Sequence, residues 1–193
     1  MSFDVLRLAG VTSNRVGPVE PRLAAVFCLA LLTASCALAS FALACATPFA
    51  AFAALAAAML PLPSALLVVG VAWSVNQAIG FGVLGYPVDT NTIFWGIAIG
   101  AAALIATVAS ALVLRFLPRL GRPIALGLAL VAAYATYEIV LFAFTPALGG
   151  AGAFTLAIFA RLGLLNILWM IGLVAVGAVA GRLNGLRHQH AWS

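Results

Sequence analysis

Four stretches of this chain, residues 23–46, 92–115, 123–147 and 153–181, stay apolar for longer than a helix needs to cross a bilayer. A hydrocarbon core of about 30 Å is spanned by roughly 20 helical residues. In lipid the backbone must satisfy its own polar groups, so runs of this kind are helical. The rest of the chain agrees: 66% of its 193 residues are hydrophobic and 7% are charged, where soluble domains carry about 25% charge. The expected fold is an all-α integral membrane protein. One six-helix transmembrane domain covers 23–182, with tails at 1–22 and 183–193.

The helix count turns on residues 47–84, a run too long for one span and interrupted by Pro61 and Pro63. Proline removes a backbone donor and clashes with the preceding turn. The region is therefore one broken helix or a hairpin of two, and the arginines decide. Arg7, Arg15 and Arg22 precede the first run, Arg115, Arg119 and Arg122 fill one connection, and Arg182 and Arg187 follow the last run. Residues 85–91 and 146–152 carry none. Arginine-rich segments stay in the cytoplasm. Residues 46 and 85 then both lie outside, and only an even number of crossings joins them. The expectation is a short helix over 48–60, roughly 20 Å long, a cytoplasmic turn at the prolines, and a helix over 63–84. Both termini are expected in the cytoplasm, with the protein in the inner membrane and the lipid bilayer around it.

The same composition excludes several functions. All nine basic residues are arginine, and eight of them lie at span ends, so the net charge of +5 does not indicate nucleic acid. The chain contains no HExxH, no GxSxG, no phosphate-binding loop and no paired catalytic aspartates, so no catalytic residue is assigned. Cys28, Cys36 and Cys45 stand at spacings of 8 and 9, which do not place all three on one helix face. They read as small packing residues. His188 and His190 read as a solvated tail. No metal site and no cofactor are expected. The apolar stretch after residue 22 is longer than the core of a cleaved signal. Gly96 and Gly100, and Gly177 and Gly181, repeat glycine at the spacing of membrane helix contacts.

Polar groups inside the spans are few and fall near one depth. Asn76 and Gln77 share a helical sector with Trp73. Tyr134, Tyr137 and Glu138 lie on the fifth helix and Arg161 on the sixth, followed by Asn166 and Trp169. Intramembrane ionisable residues are costly, which makes them a functional hypothesis by default. Two readings stay open. In one, Glu138 and Arg161 clasp two helices and the amides bridge others. In the other, these groups and the aromatics line a pocket open to the outside. Trp95 and Tyr86 double as interfacial anchors.

Six helices, a short second one, an Ala-rich first one and an outward polar-aromatic cluster resemble the substrate-binding S component of energy-coupling-factor vitamin transporters. Ala30 and Ala34 match the small residues which that family uses to dock on its transmembrane coupling subunit. The amino-terminal Met-His site of its nickel and cobalt members is absent. The resemblance implies a subunit that captures a small vitamin-like ligand at the outer face and topples on a coupling subunit energised by two ATPases. Glu138 would then meet a cationic group, and Arg161 would hold Glu138 or an acidic group. Asn76 and Gln77 would read ring edges, and Trp73, Tyr134 and Tyr137 would stack. That set leans towards a cationic heterocycle such as thiamine or its pyrimidine precursor. The rival expectation is a non-catalytic accessory subunit of a larger membrane complex. A proton-coupled carrier using Glu138 is disfavoured by the lack of internal repeats.

Overall fold

The computed structural model describes residues 21–43 and 46–190, with side chains over 25–43 and 46–180. Arg7, Arg15, Cys45 and most of the amino-terminal tail lie outside the described residues. For Arg22, Arg182, Arg187, His188 and His190 the helical backbone alone is described.

Six α-helices follow in order: α1 (Pro21–Leu43), α2 (Phe49–Met59), α3 (Leu62–Gly82), α4 (Thr90–Phe116), α5 (Arg122–Leu148) and α6 (Leu156–His190). Five are long and apolar enough to cross a membrane. The sixth, α2, has 11 residues, about 16 Å of helix. No strand occurs among the described residues.

The hairpin expected from the prolines is present. Leu60 is extended, at φ −128° and ψ 153°, as the residue before a proline prefers. Pro61 is the N-cap of α3, and Pro63 sits in the first turn, where no donor is missed. A second proline, Pro146, lies inside α5. It leaves the Phe142 carbonyl without its helical donor, and the Thr145 hydroxyl fills that place at 2.8 Å. The last helix starts later than the expected residue 153. Gly149 and Gly150 hold φ values of 79° and 82°, a region open to glycine. Ala151–Ala153 then form a 3-10 turn before α6.

The short helix is the centre of the molecule. Its residues Phe49 to Ala56 are all buried, and it packs against each of the other five helices. Around it α1 pairs with α3, α3 with α4, α4 with α5, and α5 more lightly with α6. The ring is open between α6 and α1, where a cleft of about 640 Å³ separates them. Seven alanines in α2 let the surrounding backbones come close, as association in lipid requires. Phe49 and Phe52 fill the remaining space edge to face, with centroids 5.9 Å apart. Cys28 and Cys36 are buried with Leu32 on the inner face of α1. Ala30 and Ala34 lie on its exposed face.

Candidate functional site at the head of the central helix

Ser40, Asn76, Gln77 and Asn166, polar residues of three different spans, gather around the amino-terminal end of α2. The helix opens on Thr47 and Pro48 with no side-chain cap of its own. Neighbouring helices place polar side chains around it. The Asn76 amide, from α3, donates to the Thr47 hydroxyl at 3.0 Å and to the Ser40 hydroxyl of α1 at 2.8 Å. Gln77 donates to the Asn76 carbonyl at 3.0 Å. Ser40 in turn donates to the Cys36 carbonyl, and the Cys36 thiol to the Ala72 carbonyl. On the other side Asn166 of α6 accepts from the Ala51 N–H at 3.0 Å and donates to the Leu162 carbonyl at 2.9 Å. The Ala51 N–H also points to the Pro48 carbonyl at 3.1 Å, so Asn166 adds a second acceptor, from another helix, to the first turn of α2. Tyr137 of α5 packs on Phe49, with centroids 6.4 Å apart.

Trp73 and Gln77 face α4. The Trp73 indole donates to the Gly96 carbonyl at 2.9 Å. A Cβ added at Gly100 would sit 2.6 Å from the indole carbon Cε2, and one added at Gly96 would meet the Gln77 carbonyl oxygen. The glycine pair is therefore a slot that receives two side chains of α3.

The two charges take separate positions. Glu138 is 9% exposed and lines a cleft of about 320 Å³ with Phe154, Thr155, Ile158 and Phe159 at the start of α6. Tyr134, one turn earlier, lies beside it, donates to the Phe159 carbonyl at 2.6 Å and packs on the Phe159 ring at 4.8 Å. Arg161 is exposed and lines the cleft between α1 and α6. Among the described residues no ion pair joins it to Glu138, so the interhelical clasp, one of the two readings left open by the sequence, does not form.

Of the seven residues singled out in the sequence, Trp73, Asn76 and Gln77 come together at the α1–α3–α4 junction. Tyr134 and Glu138 come together between α5 and α6, Tyr137 faces α2, and Arg161 stands apart. Ser40, Thr47 and Asn166 belong to the same belt. Asn166 carried the signal that exposed Asn76, an amide in an apolar run; the two hydroxyls carried none. In the connection above α4, Asp89 is the N-cap and accepts from the Thr92 amide at 3.0 Å and the Thr92 hydroxyl at 2.9 Å. Those bonds hold its carboxyl below the ordinary value of 3.8. Tyr86 covers Gly80, and Trp95 covers Gly150. No group of three metal-ligating side chains gathers among the described residues. Compared with family models, with curated proteins and with solved structures, the chain matches none.

Proposed function

We propose that this chain is the capture subunit of a transporter. It takes a small, vitamin-like cationic heterocycle from the outer face of the inner membrane into the Glu138 cleft, and separate ATPase subunits energise its release. The supporting observation is the Glu138 carboxylate itself. It is buried, walled by Phe154 and Phe159, and faced by no cation among the described residues. A buried carboxylate of this kind is costly alone and favourable with a cation inside the cleft. Aromatic walls add stacking and cation–π attraction. A cleft of about 320 Å³ suits one or two rings, near the lower end of the roughly 300–1,000 Å³ of small-molecule pockets. In this reading Glu138 meets the positive charge and Tyr134 and Phe159 form the wall. Asn76, Gln77 and Trp73 hold the helices in place.

A second reading, an accessory subunit of a larger complex, is favoured by a different observation. The spanning part of α6 is 17% buried, against 28–39% for the other four long helices, a surface that a neighbouring subunit would cover.

Thermal unfolding of the detergent-purified protein against a panel of cationic heterocycles, thiamine and its pyrimidine precursor included, separates the two. A true ligand stabilises the wild type by about 2.7 kcal/mol at a hundredfold excess over Kd. Glu138→Gln abolishes that gain, and Asn76→Ala keeps it from a lower starting stability. A panel without a hit, or a gain that survives Glu138→Gln, would overturn the capture role.

A further inference from the structure

The ring around α2 is continuous from α1 through α3, α4 and α5, thin between α5 and α6, and open between α1 and α6. Phe41 and Leu43 form one wall of that opening, and Leu162, Leu165 and Leu168 the other. Arg161 is the one charged residue that lines it. A guanidinium cannot shed its charge inside a protein, and it is costly within a span unless something answers it. Nothing described in the chain does so. The described acids are Asp89 and Glu138, of which Asp89 caps α4 and Glu138 lines a different cleft.

We propose that this opening binds an anionic phospholipid, with its phosphate on Arg161 and an acyl chain along α6. Three features select that occupant. The charge required is negative, and a guanidinium matches a phosphate with two parallel hydrogen bonds. The opening faces sideways, with Leu164 and Leu168 each 57% exposed, so a molecule carried in the bilayer reaches it directly. Below Arg161, Leu165 and Leu168 follow at four and seven residues, which places them on one face under the charge. A free anion would leave those walls bare, whereas a lipid covers both. The site is independent of Glu138 and of any captured ligand.

The test uses the full chain, purified in an uncharged detergent and stripped of lipid. Phosphatidylglycerol, phosphatidylcholine or inorganic phosphate is added back, and the melting temperature and retained lipid are measured, the latter by native mass spectrometry. Phosphatidylglycerol is expected to raise the melting temperature by several degrees more than phosphatidylcholine, with inorganic phosphate inert. Arg161→Leu removes that excess and the retained lipid. Leu165→Trp, which fills the cleft and leaves the charge, removes them too and decides the matter if Arg161→Leu does not fold. Arg119→Gln, at the opposite end of the bundle, keeps them. Equal effects of the two lipids, a full response to phosphate alone, or an excess that survives both cleft variants would overturn the proposal.

Discussion

At the scale of single residues, Gly100 is the position where one methyl group has the largest leverage. Its missing Cβ is the space occupied by the Trp73 ring, 2.6 Å away, and an indole has no flexible end to yield. Gly100→Ala is expected to lower stability by about 1–3 kcal/mol, the usual range for overpacking. Gly96→Ala has a smaller effect, because the Gln77 amide can turn aside. Thermal unfolding of the two variants checks the order, and Trp73→Phe combined with Gly100→Ala should recover part of the loss. The glycine spacing was legible in the sequence, but its meaning was not. It looked like a face for another backbone and is a slot for side chains. Asn76 was equally legible as a polar group needing partners. Which partners it takes depends on how α3 is rotated against α1, and spacing within one helix does not fix that.

At the scale of elements, α2 depends on its neighbours more than any other helix. It has no side-chain cap of its own, and Asn166, from the far end of the sequence, shares the Ala51 N–H with the Pro48 carbonyl. Asn166→Ala should therefore cost about 0.5–1 kcal/mol, the lower part of the range of an N-cap loss, because the Pro48 carbonyl still accepts from the Ala51 N–H. It should also speed hydrogen exchange at the Ala51 amide more than at amides in α4. Unchanged exchange at Ala51 would show that the cap contributes nothing. The hairpin of α2 and α3 was readable from Pro61, Pro63 and the placement of arginines, to within two residues at each end. The central position of α2 was not. A helix of alanine and phenylalanine buried on every side carries no polar face to reveal what surrounds it, and eight consecutive buried residues show no period.

For the whole molecule, the sidedness inferred from arginine placement leads to a labelling experiment. Val88, 77% exposed, lies in the α3–α4 connection, and Arg119, also exposed, in the α4–α5 connection. In a Cys45→Ala background, with Cys28 and Cys36 buried, a cysteine at 88 should react with an impermeant reagent in intact cells. One at 119 should react only after the membrane is opened. The reverse pattern would invert the assignment, and labelling of both from one side would refute a crossing by α4. Six helices were within reach of the sequence, and so were the boundaries of the first five to within three residues, whereas α6 runs over 156–190 where 153–181 was expected. The open side of the ring, and the separation of Glu138 from Arg161 into two clefts, were not, because both follow from how helices distant in the chain pack together. The enclosed α2 also bears on how such a protein can change over generations. Each peripheral helix has a lipid side on which one apolar residue serves as well as another, so substitutions can accumulate there in a repeating pattern. From Phe49 to Ala56 there is no such side, and the shortest helix is the one with the least room to drift.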